Sequence, residues 1–407
     1  MKVPFSPPDI TDAEVNEVSA ALRSGWITTG PRTKELEREV AALTGSPKAA
    51  CMSSATASEE MALRLFEIGP GDEVIVPAYT YTATAAAAYH VGATVRIVDC
   101  AAGSYEPDYD AIESMINEHT KAIVPVDLGG IMCDYDRLRD IVERKKSLFH
   151  PSSRYQEALG HVLILADSAH GFGASRVLEN PIYGGGRQLV MSGQAADFTS
   201  FSFHAVKNFT TAEGGALTWR PLPGIDDEEI YKMMMLLSLH GQSKDALDKT
   251  ELGGWEYDIV GLWYKCNMTD VLAAIGLAQM KRFPGLLARR KEIIGHYEKG
   301  LQGSGAEPVC HFREGVTSSG HLMLVRIPKL DEAGRNALIR HMAEDGVATN
   351  VHYKPLPMHT AYKNLGFDIK DYPHAYDQYR CEITLPLHTK LTDEQVDYVI
   401  RTLLKWM

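Results

Sequence analysis

Val162-Leu163-Ile164-Leu165-Ala166-Asp167, followed by Ser168-Ala169-His170, is the stretch on which the fold turns. Five apolar residues in succession read as a strand buried on both faces, as in a parallel sheet sandwiched between helices. The run stops at a carboxylate. The same texture extends upstream: residues 48–52, 73–76, 94–98 and 122–126 read as strands, and 56–66, 80–91, 108–116 and 135–146 as the helices between them. Thr11-Asp12-Ala13-Glu14 is a capping box whose helix runs to Arg23. Alternation of this length means βαβ units and a parallel or mixed sheet. The fold class is therefore α/β, and ligands of such a sheet sit at the carboxyl ends of its strands.

Downstream the texture changes. Residues 269–281, 286–301, 331–344 and 392–406 read as helices and 321–327 as a strand, which suggests a smaller α+β domain. The expected division is a large cofactor-binding domain over 12–258 and a small domain over 259–407 that includes residues 1–11. Residues 149–160, 180–194 and 241–258 read as loops or insertions, the second containing Gly184-Gly185-Gly186. No internal repeat is visible.

Composition narrows the function classes. Of 407 residues, 45% are hydrophobic and 23% charged, as in an ordinary globular protein. The net charge of −12 argues against nucleic acid as a partner, because phosphate neutralisation needs clustered Lys and Arg. No apolar run reaches the roughly 18 residues of a membrane span, and Met1-Lys2-Val3-Pro4-Phe5 lacks the apolar core of a secretory leader. Six scattered cysteines with no Cys-x-x-Cys fit a reducing cytoplasm better than a disulfide framework or a zinc site. His352, His359, His374 and His388 show no metal spacing, so no metal is expected.

Four clusters fall at strand ends. In Phe201-Ser202-Phe203-His204-Ala205-Val206-Lys207-Asn208, followed by Glu213-Gly214-Gly215, a lysine sits just past an apolar strand. Burial would lower its pKa and free an amine able to capture an aldehyde. Alone it reads better as a solvated loop lysine. Asp167 could hold a proton on a pyridine nitrogen, or simply cap the next helix. Ser53-Ser54-Ala55-Thr56-Ala57, between a strand and a helix, offers an anion cradle or an ordinary N-cap. It lacks both the P-loop and the dinucleotide glycine patterns. Pro77-Ala78-Tyr79-Thr80-Tyr81 places an aromatic ring where it could stack on a heteroaromatic cofactor. Together these are the requirements of pyridoxal 5'-phosphate (PLP).

The sequence resembles the DegT-type nucleotide-sugar aminotransferases, which have PLP fold type I, over nearly its whole length. Gly25-Trp26-Ile27-Thr28-Thr29-Gly30-Pro31, Ser54-Ala55-Thr56-Ala57, Pro77 to Tyr81, Asp167-Ser168-Ala169-His170 and Ser202 to Asn208 match the family's motifs in order. Tyr264-Lys265-Cys266-Asn267-Met268-Thr269-Asp270 is similar to the version found in the branch that makes 4-amino-4-deoxy-arabinose nucleotides. His352-Tyr353-Lys354-Pro355-Leu356 resembles the C-terminal substrate loop.

The resemblance implies these roles. Lys207 is joined to PLP as an internal aldimine and shuttles the proton. Asp167 pairs with the ring nitrogen, and His170 lies near the phenolic oxygen. Ala55, Thr56, Ala57 and Ser202 hold the phosphate, and Tyr81 stacks on the ring. Asn267 reaches the phosphate of the other subunit, so the enzyme is a homodimer with shared active sites. Thr28, Thr29, His352 and Tyr353 contact substrate. The implied reaction moves an amino group from an amino acid, L-glutamate, to a keto-sugar linked to a nucleotide. A keto-cyclitol acceptor, a PLP aldolase or decarboxylase, and a non-catalytic regulator are the alternatives. A lysine at position 207 favours the aminotransferase over the dehydratases of the family, which carry histidine there. Departures from the pattern are Ala166, Ser168, Cys266 and Asp127-Leu128-Gly129-Gly130, the last standing where relatives often have His-Leu-Tyr-Gly.

Overall fold

The computed structural model describes residues 1–179, 186–244 and 256–407. The strands described are, in chain order, β1 (Ala49–Met52), β2 (Glu73–Pro77), β3 (Thr94–Val98), β4 (Thr120–Ile123), β5 (Leu163–Asp167), β6 (Ser175–Leu178), β7 (Gln188–Met191), β8 (Phe198–Ser202), β9 (Gly215–Trp219), β10 (Glu307–Pro308), β11 (Phe312–Arg313), β12 (Val316–Thr317), β13 (Met323–Arg326) and β14 (Glu382–Leu385). Seven form a central sheet in the order β1-β9-β8-β5-β4-β2-β3. Neighbours from β8 through β5, β4 and β2 to β3 are parallel, and β9 alone runs against the rest. The molecule is thus an α/β fold with a mixed, mostly parallel sheet, as the sequence implied.

Both faces of this sheet are covered, as its continuous apolar strands require. On β5, Leu163 and Leu165 join one buried cluster while Ile164 and Ala166 join another. On β2, Val74 and Val76 join the first and Ile75 the second. A third apolar cluster, with Ile293, Met323, Val325, Ile383 and Val399, packs behind the three-stranded sheet β10-β13-β14. Val3 belongs to it and bridges to Val347.

Several expectations need correction. The helices expected at 269–281 and 286–301 are one, Asp270–Leu301, which runs through Pro284. A proline inside a helix costs about 3 kcal/mol. Here Phe283 is buried against Phe172 and Phe209, and Leu286 is buried beside it, which offsets the lost hydrogen bond. The expected loop 149–160 contains a short helix, Arg154–Leu159, capped by Ser153 and closed by Gly160 in a left-handed conformation. Ser153 and Gln156 both donate to the carbonyl of Phe66, stitching this insertion to the end of the helix Ala55–Leu65. Of 180–194, residues 180–185 lie outside the described residues. The remainder supplies β7, which pairs with β6 in a sheet ordered β11-β12-β6-β7. Of 241–258, residues 245–255 lie outside the described residues. The strand expected at 122–126 starts earlier and ends at Ile123, although Val126 still bridges to Asp167.

Because β9 is antiparallel, its first residue meets the carboxyl ends of its neighbours. A Cβ on Gly215 would lie 2.4 Å from the backbone carbon of Ser54, 2.5 Å from the nitrogen of Ala55 and 2.7 Å from the oxygen of Phe201. Only glycine fits. Gly215→Ala is expected to cost ~1–3 kcal/mol of stability by overpacking, read as a lower urea midpoint, and to push the Ser54–Thr56 turn off its strand. An unchanged midpoint would show that the turn yields freely.

Candidate active site

The carboxyl edge of the sheet gathers the chemistry. Ser54 follows β1, Tyr81 follows β2, Val126 follows β4, Asp167 ends β5, Ser202 ends β8, and Gly214 precedes β9. These positions line one cavity of about 380 Å³. Ala55, Thr56, Tyr81, Asp167, His170, Ser202, Lys207, His352 and Tyr353 all lie on its wall. Residues up to three hundred positions apart therefore share a single space.

At its centre are two opposite charges. Asp167 is buried, its Oδ2 accepting from Thr84 Oγ1 at 2.7 Å and its Oδ1 from the amide of Ala169 at 3.1 Å. Burial pushes its pKa up, while those two bonds and the Lys207 ammonium pull it back. Lys207 sits in a turn after β8, its amide donating to the carbonyl of His204 at 2.9 Å. Burial lowers its pKa to about 8, with Asp167 opposing. The amine is thus within reach of its neutral, nucleophilic form near physiological pH.

A second carboxyl lies beside this pair. Glu59 is buried, its Oε1 accepts from Ser200 Oγ at 2.7 Å, and its Oε2 has no partner among the described residues. Burial and the neighbouring Asp167 push it well above the carboxylate range. With one oxygen unbonded and no cation of its own, Glu59 is the member of the pair that holds the proton, and Asp167 is the anion. Sequence reasoning missed Glu59. Its signal was the i, i+4 spacing from Ala55, which puts both on the cavity face of one helix. Thr84, a hydroxyl in an alanine-rich helix, was missed too.

The anion end is built from the start of the helix Ala55–Leu65. Ser54 caps it, with Oγ accepting from the amide of Ala57 at 3.0 Å. That bond occupies the N–H of Ala57, which does not line the cavity. The amides of Ala55 and Thr56, which lack intrahelical partners, and the hydroxyls of Ser54, Thr56 and Ser202 remain for an anion. A Cβ at Gly214 would meet Thr211 Oγ1 at 2.2 Å, so the wall approaches closely here as well.

The far wall is aromatic. His170 Nδ1 accepts from the amide of Gly129 at 3.4 Å, and its Nε2 lies 3.0 Å from the hydroxyl of Tyr353. Tyr353 also stands 5.8 Å from Tyr81, tilted by 41°. Tyr81 is 59% exposed, leaving its ring open at the cavity mouth. Burial first, and the charge of Lys207 second, keep His170 neutral; the same two causes lower His352 to about 3.

Thr28, Thr29 and Asn267 do not line this cavity. Thr29 is buried, its hydroxyl donating to the carbonyl of Met268 at 2.5 Å and accepting from Asn267 Nδ2 at 2.6 Å. Lys265 Nζ bonds Asn267 Oδ1. This cluster sits outside β1, where Met52 bridges to Asn267.

Two of the sequence departures touch each other. Ser168 Oγ donates to Asp127 Oδ2 at 2.6 Å and lies 2.6 Å from Ser192 Oγ. Asp127 Oδ1 accepts from Tyr135 Oη and the amide of Cys133, and the amide of Asp127 bonds the carbonyl of Asp167. The network backs the strand that carries Asp167. Burial raises Asp127 to about 6, against the pull of these donors. A folded-state pKa above the unfolded value means its stabilisation is complete below about pH 4 and is lost as pH rises through about 6. Relative to Asp127→Asn, the native chain should lose on the order of 2–3 kcal/mol between pH 4 and 7 in urea unfolding. A difference that does not change with pH would refute this environment.

A profile of the DegT/DnrJ/EryC1/StrS aminotransferase family matches residues 8–404. The chain is 34% identical, over 403 residues covering 98% of it and 95% of its counterpart, to the spore coat polysaccharide biosynthesis protein SpsC of Bacillus subtilis. Among solved structures it is similar to Spr1654 of Streptococcus pneumoniae, to which a sugar aminotransferase function is ascribed. The form with pyridoxamine phosphate shows 55% identity and a TM-score of 0.94, covering 100% of this chain and 99% of that one. The PLP form shows 54% identity and a TM-score of 0.93, covering 100% of this chain and 98% of that one. PseC of Helicobacter pylori, an aminotransferase in pseudoaminic acid biosynthesis, shows 25% identity and a TM-score of 0.85, covering 100% of this chain and 99% of that one.

Proposed function

Because the chain belongs to the DegT/DnrJ/EryC1/StrS aminotransferase family and is a PLP-dependent sugar aminotransferase, we propose that it moves the amino group of L-glutamate to the keto carbon of a nucleotide-linked sugar. The observation that carries this reading is the pair of half-buried Lys207 and buried Asp167 facing one cavity, with the amine already lowered to about 8. The residues present fit the cofactor. The helix start at Ala55–Thr56 with Ser54 and Ser202 suits a phosphate, Asp167 a protonated ring nitrogen, and Tyr81 a ring face. The resemblance of Tyr264 to Asp270 to the 4-amino-4-deoxy-arabinose branch makes a 4-keto-sugar the acceptor to try first.

When bound, PLP supplies an aldehyde that takes up the amino group and a ring that withdraws electrons. The chain's own residues do the rest. Lys207 Nζ would hold the cofactor, and in its unprotonated form it is the base placed to take a proton from the donor's α-carbon and return it. Asp167, the anion of the pair, would hold a proton on the ring nitrogen. Tyr353 and His170 close the wall and exclude water. His352 and Tyr353 face the space left for substrate.

The second proposal is a homodimer with shared sites. An apolar groove of about 360 Å³ runs between the helix Asp12–Arg23 and the loop carrying Lys207, lined by Ile10, Val15, Val18, Ala205 and Ala212. Val15 and Leu22 are exposed, and Leu262 is 97% exposed. Among the described residues no lysine or arginine other than Lys207 lines the cavity, so the Lys265–Asn267 cluster of a second copy would supply further donors for the phosphate. The six cysteines are all unpaired, which suits a cytoplasmic enzyme. No helix among the described residues is long and apolar enough to cross a membrane.

Lys207→Ala is expected to abolish both turnover and the absorbance of covalently bound cofactor. It should be assayed with L-glutamate against a panel of keto-sugar nucleotides and keto-cyclitols. Normal transamination by this variant would overturn the assignment. Sedimentation should give twice the chain mass, and Val15→Asp should lower it to one chain together with loss of turnover; an active single chain would rule out shared sites.

A further inference from the structure

Behind His352 lies a short polar chain that no step above uses. Glu382 opens β14 and is completely buried (0% exposed). Its Oε2 accepts the backbone N–H of His352 at 3.0 Å, and its Oε1 lies 2.5 Å from Thr384 Oγ1. Thr384 Oγ1 in turn lies 2.9 Å from His352 Nδ1. The imidazole is fixed by stacking on Phe5 at 5.7 Å, and its carbonyl accepts from Tyr79 Oη at 3.0 Å. His352 lines the cavity, and its Nε2 has no hydrogen-bond partner among the described residues.

The hydrogens along this chain are coupled, because Thr384 has only one to give. If Glu382 is charged, Thr384 donates to Oε1 and must accept from Nδ1–H, leaving a bare lone pair on Nε2. If Glu382 carries a proton on Oε1, that proton is donated to Thr384. Thr384 then donates to Nδ1, and the ring hydrogen sits on Nε2. The charge on one buried carboxyl therefore decides whether His352 accepts or donates in the cavity.

The surroundings favour the neutral carboxyl. Arg335 donates to the backbone carbonyls of Tyr379 and Glu382, not to the carboxyl, and Arg326, opposite in the ladder, is paired with Glu307 and Asp377. The other titratable groups facing Glu382 are Tyr79, Tyr105 and Tyr353, phenols that burial keeps neutral. Burial raises Glu382 to about 8, ahead of the bonds from Thr384 and His352 and the pull of Arg335.

We propose that Glu382, protonated, is a positioning residue that holds His352 as its Nε2–H tautomer, so that the cavity presents a hydrogen-bond donor to a carboxylate or carbonyl oxygen of the substrate. For its consequence in turnover, the inference rests on the transaminase reading; the tautomer itself does not. In the cofactor-loaded enzyme labelled with ¹⁵N-histidine, the His352 signal, identified by its loss in His352→Asn, should show Nε2–H at pH 7. It should convert to Nδ1–H as pH rises through about 8. In Glu382→Gln the His352 amide still demands an oxygen acceptor. That turns the amide NH₂ toward Thr384 and locks Nε2–H at every pH. Thr384→Val should uncouple the ring from pH altogether. Nδ1–H at pH 7 in the native enzyme, or a tautomer switch that survives in Glu382→Gln, would overturn the proposal.

The source of the substrate oxygen is read from His352→Phe. A roughly tenfold fall in kcat/KM for the half-reaction with L-glutamate assigns it to the donor's carboxylate. A normal glutamate half-reaction with a comparable loss of turnover on a UDP-linked 4-keto-sugar assigns it to the acceptor. No change in either discards the donor role. Failure of the transaminase reading would appear in Lys207→Ala and leave the tautomer measurement intact.

Discussion

Burying the carboxylate of Asp167 at the end of β5 raises its pKa, and the chain answers with the hydroxyl of Thr84, the amide of Ala169 and the ammonium of Lys207. None of these is local in sequence to all the others. Thr84 comes from the helix after β2, and Lys207 from the turn after β8. They meet because parallel strands present their carboxyl ends on one edge, and β9 delivers its first residues to that edge by running backwards. The charge pair thus constrains the sheet order as much as the sheet positions the pair. Glu59 sharpens the point. A second buried acid can remain only by taking a proton, so the negative charge stays on the residue that has donors to receive it.

The same accounting explains how the chain buries another carboxyl beside the site. An aspartate buried behind the anchor strand would be costly alone. Asp127 receives donors from Ser168, Tyr135 and the amide of Cys133, and Ser192 extends the network toward the β6–β7 pair. Asp127 and Ser168 make sense only together. Removing either partner would leave a buried polar group unsatisfied.

Much of this was legible in the sequence. The apolar runs of β2 and β5 announce a sheet covered on both faces, and the strand ends place Asp167, Ser202 and the Ser54–Thr56 turn on one edge. Less legible was whatever depends on tertiary packing. Pro284 reads as a helix end, and only the burial of Phe283 and Leu286 carries the helix through it. The four residues of β14 lack an apolar signature because Glu382 and Thr384 are two of them, yet all four are buried. A polar residue in a strand reads as surface until its partners are known. Thr28, Thr29 and Asn267 carry a recognisable motif, but in one chain they lie outside the cavity, where Asn267 bonds Thr29 and the carbonyl of Thr28 accepts from the amide of Asp270. A motif gives residue identity, and the distance between sites comes only from the fold.

The electrostatic plan of the cavity follows from these placements. His170, His321 and His352 all surround Lys207, and burial together with the lysine's charge holds each of them neutral. His170 and His321 meet edge to face at 5.0 Å, a contact that would be repulsive if both were charged. Were any of the three an imidazolium, Lys207 would lose its proton more readily, but Asp167 would gain a competing counter-ion. Neutral histidines avoid that competition. A neutral imidazole still makes directional hydrogen bonds, as His170 does with Tyr353 and the amide of Gly129, so the hydrogen on each ring, and not its charge, is the property the surrounding residues control.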